Sequence, residues 1–412
     1  MAIVRPFKAY RPSEEYASKV AALPYDVVSS KEARAVVEDN PLSFLSIDRA
    51  EVNFTKDTDM YADKVYQKAS ELLEKRINEK VFIQDKKDCL YIYEQTFRNR
   101  TQTGLVCLCS VKDYEQNVIK KHENTLAKKE QDRIRHIDTC SAQTGPIFLG
   151  YKHDDQIRNY IYSFKKDKNL LYDFTSGDGV ENKVYIIDDE KACKKISEMF
   201  RKTGALYIAD GHHRCASAVR VANKRRNKDT EEVMDKEYEY FLSVIFPDDE
   251  LMIMDYNRIV KDLNGYTKEE FLNLVSQKYE IELMGKEPYS PKEKYEAGMY
   301  LGGEWYKIKA RKCCQNKDAV DNLDVAILQN EILSPILGID DPKNDSRIDF
   351  VGGIRGLREL EKRCENGFEV AFAMFPTSIE ELFNVADNKR LMPPKSTWFE
   401  PKLLSGLFIH KF

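Results

Sequence analysis

Apolar residues along this chain alternate between two spacings, and the switching between them predicts an α/β protein. Tyr61, Val65, Ala69, Leu72, Leu73 and Arg76 share one helical face, which predicts a helix over 59–79. Residues 89–93 and 103–111 are short, dense apolar runs of strand type, with Arg98-Asn99-Arg100 as the turn between them. Residues 43–49 read as a strand after the stop at Asn40-Pro41. Residues 24–28 read as a strand end feeding a helix capped at Ser29-Ser30. Further on, a charged helix runs from Thr125 to about Asp138. Strands follow at 145–149, 182–187, 206–210 and 240–246. Helices fall at 154–164, 190–202 and from His212 to about Lys224. Residues 225–235 read as a solvated, charged linker. The remainder is mixed, with helices at 268–278, 324–333, 353–366 and 378–388, the last carrying Ser378 and Glu381 at capping-box spacing. Residues 392–401 read as a loop dense in proline and aromatics.

Composition narrows the class. The chain has 412 residues, 42% hydrophobic and 33% charged, enough to bury a core and present a solvated surface. A net charge of −4 argues against a general nucleic-acid binder. No run of 18 apolar residues exists to span a membrane, and Met1-Ala-Ile-Val-Arg-Pro-Phe7 has no apolar signal core. Nine cysteines, an odd and scattered number, fit reduced thiols. A cytoplasmic protein without nucleic-acid or membrane partners is expected; nothing in the chain fixes its oligomeric state. Adjacent Cys313 and Cys314 lack a second pair at zinc spacing, so no structural zinc is expected.

The most informative stretch is Leu206-Tyr-Ile-Ala-Asp210-Gly-His-His-Arg214. It reads as a strand, a tight turn at Gly211, and a helix start. Free N–H groups and partial positive charge at a helix N-terminus favour phosphate. His212, His213 and Arg214 add donors, and Asp210 is a carboxylate suited to Mg²⁺. The alternative is an ordinary Asp-Gly turn with Asp210 as a helix cap. His122-Glu123-Asn124-Thr125 stands at a second strand-to-helix junction, where Glu123 is either a general base toward a hydroxyl or a cap. Arg133 and Arg135 on the following helix reach an anionic ligand or belong to a solvated face. Val351-Gly-Gly-Ile-Arg355-Gly lacks P-loop spacing and reads as a structural turn. Lys395-Ser396-Thr397, in a proline-flanked loop, either closes over a site or only packs. Together with Asp26 in Pro24-Tyr-Asp-Val-Val28, that loop is expected to wall the cleft beside Asp210, so Asp26, His122, Arg133, Lys395, Ser396 and Thr397 are candidate substrate contacts.

The chain resembles the domain-of-unknown-function family 1015, whose members carry an Asp-Gly-His-His-Arg signature. The resemblance covers Arg5-Pro-Phe-Lys-Ala, Pro24-Tyr-Asp-Val-Val, Asn40-Pro-Leu-Ser-Phe-Leu, His122-Glu-Asn-Thr, Asp132-Arg, Gly145-Pro-Ile-Phe, Ala209-Asp-Gly-His-His-Arg, Met392-Pro-Pro-Lys-Ser-Thr and Pro401-Lys-Leu-Leu-Ser-Gly. More remotely, the His-Glu and Asp-Gly-His-His-Arg segments are similar to those of free-serine kinases with a ParB/sulfiredoxin-like fold. That resemblance implies a ParB/sulfiredoxin-like nucleotide-binding core at 103–246, with an N-terminal α/β segment at 1–102 and a C-terminal one at 247–412. It implies Mg²⁺-dependent phosphoryl transfer from ATP or ADP to a small hydroxyl substrate, L-serine being the best match. Glu123 would be the base, Asp210 the metal-linked carboxylate, and Gly211, His212, His213 and Arg214 the phosphate cradle. Cys215 stands where those kinases usually have an aromatic. Two other readings are a ParB-like nucleotide-binding switch without kinase activity and a sulfiredoxin-like redox role requiring a nucleophilic thiol, for which Cys215 is nearest.

Overall fold

The computed structural model describes residues 1–229 and 235–412; residues 230–234 of the expected linker lie outside the described residues. Contacts divide the described residues into two compact units. One comprises Met1–Lys121, Thr125–Leu251 and Pro401–Phe412, the other His122–Asn124 and Met252–Glu400. The segment boundary expected after residue 102 falls inside the strand Arg100–Ser110, and the one after 246 falls inside Tyr240–Pro247.

The first unit is built on a nine-stranded mixed sheet. Its order is Ile119–Lys120, Leu206–Asp210, Ile147–Tyr151, Tyr240–Pro247, Arg100–Ser110, Leu90–Phe97, Glu181–Ile187 and Leu170–Thr175, with Val4–Arg5 also paired to Arg100–Ser110. The Leu90–Phe97/Arg100–Ser110 hairpin turns at Arg98 and Asn99, with φ of 50° and 61°. Two successive positive φ values give the turn a twist that matches the strands. Two pairings are parallel, Leu206–Asp210 with Ile119–Lys120 and Tyr240–Pro247 with Ile147–Tyr151. The middle strands Ile147–Tyr151 and Tyr240–Pro247 are mostly apolar and buried on both faces, Ser243 being the polar exception. Helices Glu190–Lys202 and His212–Arg226 bury Ile196, Phe200, Cys215 and Ala222 in one sheet-side core. A second core joins Ser30–Asp39, Leu45–Asp48, Asp63–Asn78 and Ala127–Cys140 through Ala33, Leu45, Ile47, Ala69, Leu73 and Cys140. The α/β class expected from the sequence is the class observed.

Two local expectations are corrected here. Residues 43–49 are not a strand: Leu45–Asp48 is one helical turn, buried on every side. A short apolar run fits a buried turn as well as a strand, and periodicity cannot separate them. Residues 24–28 form a turn, with Val27 N–H bonded to the Pro24 carbonyl. The helix after them does begin at a capping box between Ser29 and Glu32.

The last twelve residues belong to the first unit. Ser405 pairs with Ala22, Ile409 with Tyr10, and His410–Lys411 with Ala142–Gln143. Leu403, Leu404, Leu407, Phe408 and Ile409 are all buried.

The second unit carries a six-stranded antiparallel sheet in the order Tyr279–Gly285, Glu304–Ala310, Glu296–Leu301, Val370–Met374, Tyr256–Val260 and Ile348–Gly352. Capping boxes open its helices Lys268–Ser276 and Ile379–Asp387. The helix expected at 353–366 is shorter. Val351 and Gly352 finish a strand, Gly356 breaks the chain at φ 73°, and the α-helix is Arg358–Glu365. The expected 324–333 helix is α-helical over Asp324–Leu328 and widens to a π-turn over Gln329–Leu333.

Phe408 packs against Tyr91 at 5.1 Å and Tyr93 at 6.3 Å between ring centroids. Phe408→Ala should therefore destabilise the first unit by about 3–5 kcal/mol, the usual range for emptying a buried aromatic site. Denaturant unfolding followed by fluorescence checks this, and a change below about 1 kcal/mol would show that the terminal segment is not core.

Candidate active site

The strand Leu206–Asp210 is apolar and buried up to its last residue, where Asp210 emerges at the sheet end. The chain turns through Gly211, at φ 88° and ψ 28°, straight into the helix His212–Arg226. Glycine is required there twice over. The left-handed conformation penalises a side chain, and a Cβ would lie 3.1 Å from Arg214 Nε and 3.2 Å from its Cζ. The bare Cα is thus the seat of a guanidinium that folds back over the turn.

Arg214 is buried, and its Nη1 donates to the Pro146 carbonyl. Nε is fully buried without a partner. Nη2 makes no hydrogen bond, and no carboxylate lies within ion-pair distance, among the described residues. Burial works against the charge, but the negative charges of Asp26 and Asp210 outweigh it and the pKa is raised. The result is a permanently charged, desolvated guanidinium with open donors.

Asp210 Oδ1 accepts from Gly211 N–H at 2.8 Å, and Oδ2 from Lys402 Nζ at 3.1 Å. Burial would raise its pKa; the charges of Lys402 and Arg214, with those hydrogen bonds, hold it well below the usual carboxylate range. Lys402 escaped the sequence reading. It stood inside the matched Pro401-Lys-Leu-Leu-Ser-Gly segment, but nothing local marked it as a partner of a residue 192 positions away.

The neighbouring residues have distinct jobs. His213 Nε2 accepts from Leu126 N–H at 3.2 Å, so any donation by a neutral His213 to a ligand comes from Nδ1. Ser217 Oγ donates to the Glu130 carbonyl and ties the signature helix to Ala127–Cys140. On that second helix the two candidate arginines separate. Arg135 binds the Tyr61 carbonyl and Asp63. Arg133 lies 3.9 Å above the Tyr25 ring, paired with Asp132. Arg133, Arg214, Tyr25, Asp48, His136 and Thr144 line one cavity of about 390 Å³, counting space open to solvent. The first unit therefore gathers Asp26, Arg133, Asp210, Gly211 and Arg214, with His212 buried on the same first helical turn. Cys215 is fully buried and its thiol is pushed well above the usual range by burial, which leaves no nucleophilic thiolate there.

His122, Glu123, Lys395, Ser396 and Thr397 belong to the second unit. The His122 carbonyl accepts from Met392 N–H at 2.8 Å, and Thr397 Oγ1 lies 3.4 Å from His122 Nε2. The loop is pinned from within. Lys395, at φ 59°, offers its carbonyl to Arg258, the Ser396 carbonyl accepts from Thr377, and Ser396 Oγ donates to the Pro393 carbonyl.

A strand-to-helix turn that seats a buried guanidinium beside an aspartate of lowered pKa stands at the centre of the first unit of this α/β protein. The family described as Protein of unknown function (DUF1015) matches residues 4–326, and the chain belongs to that family. Among solved structures it is similar to a free serine kinase in complex with AMP, at 12% identity and a TM-score of 0.35 over 71% of this chain and 86% of that one. A variant of that kinase in complex with ADP scores alike. It is also similar to C-terminally truncated SbnI from Staphylococcus aureus, at 11% identity and a TM-score of 0.37 over 73% and 85%. A conserved hypothetical protein from Pyrococcus furiosus stands at 12% and 0.34 over 73% and 94%. No curated protein matches the chain. Among the described residues no helix is long and apolar enough to cross a membrane.

The ion pair at Asp210 has a pH signature. A carboxyl whose folded pKa is depressed stabilises the fold above its unfolded pKa, and that contribution is lost as pH falls. Wild type should exceed Asp210→Asn in stability by about 2 kcal/mol near neutrality, the scale of charged hydrogen bonds. The margin should hold down to about pH 5 and shrink below about pH 4. Denaturant melts across that range check it; a margin that grows on acidification would refute the ion pair.

Proposed function

We propose that this protein is a Mg²⁺-dependent small-molecule kinase that transfers phosphate from ATP or ADP to a hydroxyl group, with free L-serine as the acceptor. The observation that carries the reading is Arg214, a buried guanidinium seated on Gly211 with Nε and Nη2 unpaired, on the first turn of the helix His212–Arg226. A desolvated cation with open donors at that place favours a phosphoryl oxygen. The resemblance of the Asp-Gly-His-His-Arg and His-Glu segments to free-serine kinases supplies the reaction class.

Asp210 fits a Mg²⁺ ion by its chemistry. It is an ionised, hard oxygen donor, and among the described residues each oxygen accepts one hydrogen bond, leaving lone pairs for a ligand. A bound ion would supply charge neutralisation at the phosphates. The chain's residues do the rest. Arg214 and the first-turn N–H groups of His212 and His213 hold phosphoryl oxygens in a fixed cradle, which provides rate by positioning and preorganised charge. Lys402 keeps the Asp210 carboxylate in place. Glu123 takes the proton from the acceptor hydroxyl as it becomes the nucleophile.

The test is a screen of hydroxyl compounds with ATP and with ADP, read by mass spectrometry. Phosphoserine is the expected product. Glu123→Gln should lower turnover by about 10²–10⁴-fold, the usual share of acid–base catalysis, with nucleotide affinity little changed. Nucleotide hydrolysis that no acceptor stimulates would favour the switch-protein reading, and unchanged turnover in Glu123→Gln would reduce Glu123 to a helix cap.

A further inference from the structure

One face of the strand Leu90–Phe97 changes character along its length. Tyr91, Tyr93 and Gln95 point the same way, since alternate residues of a strand share a face. The two tyrosines pack against Phe408 of the C-terminal segment. Gln95 meets Lys402 of the same segment, and its Nε2 donates to the Lys402 carbonyl at 3.0 Å. Gln95 is also the middle of a polar row across three strands, opposite Gln102 on one side and Asn182 on the other. Gln102 Nε2 donates to Gln95 Oε1 at 3.0 Å, and Gln95 Nε2 donates to Asn182 Oδ1 at 3.3 Å. Asn182 is held in turn by the Tyr93 hydroxyl, which donates to Oδ1 at 2.7 Å, and by its own Nδ2, which donates to the Val180 carbonyl at 2.9 Å. Exposure is 1% for Gln95, 2% for Gln102 and 0% for Asn182, so the whole row is taken out of water.

Three apolar side chains would fill the same space with no polar group to desolvate. They could not fix the chain that crosses above them. Residues 402–404 lie in no strand, so the Lys402 carbonyl has no ladder partner and a side chain has to answer it. Because Gln102 donates to Oε1, the Gln95 amide has one orientation, with its N–H groups turned to Lys402 and Asn182. A satisfied buried network of this kind specifies one arrangement of what it touches. From that fixed root Lys402 Nζ reaches Asp210 Oδ2 at 3.1 Å, along a side chain only 9% exposed. A lysine ammonium sits on a flexible four-carbon stem, so its place depends on where the backbone is held. We propose that Gln95 is a positioning residue for the site: its amide holds the Lys402 backbone where the ammonium can fix the Asp210 carboxylate beside Gly211. The consequence for phosphoryl transfer rests on the kinase reading above, whereas the positioning is read from the protein alone.

The experiment uses the full chain and Gln95→Met, which keeps the length and removes the donor. The first measurement is the stability lost on Asp210→Asn near neutral pH, from urea unfolding, with Gln95 present and with Gln95→Met. No hydrogen bond joins Gln95 to Asp210 among the described residues, so a purely structural Gln95 would leave that loss unchanged. The loss should instead shrink in Gln95→Met, because a displaced Lys402 no longer answers the carboxylate; an unchanged loss would overturn the proposal. The second measurement is calorimetric binding of ADP with Mg²⁺. Gln95→Met should weaken it by about 2–10-fold, the range of one lost hydrogen bond, and should cost nothing further in a Lys402→Met background. Equal weakening in both backgrounds would show that Gln95 does not act through Lys402. If Gln95→Met fails to fold, Gln95→Asn keeps an amide for its neighbours but is one methylene too short for Lys402, and the same two outcomes decide. A shrunken Asp210→Asn loss in a protein that neither binds ADP nor phosphorylates serine keeps the positioning role and removes the kinase. Serine phosphorylation with that loss unmoved keeps the kinase and overturns the positioning role.

Discussion

A buried guanidinium without a carboxylate partner is the constraint on which the first unit's site depends. Arg214 remains charged because Asp26 and Asp210 act on it through the protein, and it stays in place because Gly211 has no side chain to occupy its seat. Desolvated charge is expensive, and a buried guanidinium with open donors is costly until something answers them. The rest of the site is arranged to make that affordable. Lys402 fixes the Asp210 carboxylate, the Pro146 carbonyl takes one N–H of the guanidinium, and the Ser217 bond locks the signature helix against its neighbour.

The scaffold explains why these groups converge. A buried middle strand ends at Asp210, so the carboxylate leaves the sheet where the next helix begins. The last twelve residues return to the same unit, anchored by Ser405 and Ile409 and by a row of buried apolar side chains, and they carry Lys402 with them. The terminal segment is therefore both core and site. Its apolar residues fix the path, and its lysine sets the charge state of Asp210.

Much of this was legible in the order of residues, for identifiable reasons. The helix Glu190–Lys202 was readable to its ends because Asp189 caps it and its apolar face is regular. The capping boxes at Ser29 and Ser378 were readable because they are local reciprocal bonds. The Asp-Gly-His-His-Arg turn was readable because a positive-φ glycine before a helix has few substitutes. What failed were features that need the third dimension. Leu45–Asp48 looked like a strand because burial on all sides erases periodicity. Lys402 and the pairing of Arg133 with Tyr25 join residues far apart in the chain, and no local pattern marks such partners.

The central claim is that Arg214 over Gly211 is a phosphate seat, and calorimetric titration of ADP into wild type and Arg214→Gln tests it most directly. The account predicts saturable binding to wild type and at least about tenfold weaker binding to the variant, the scale of one charge-assisted hydrogen bond or more. Equal affinity in the two folded proteins would contradict it.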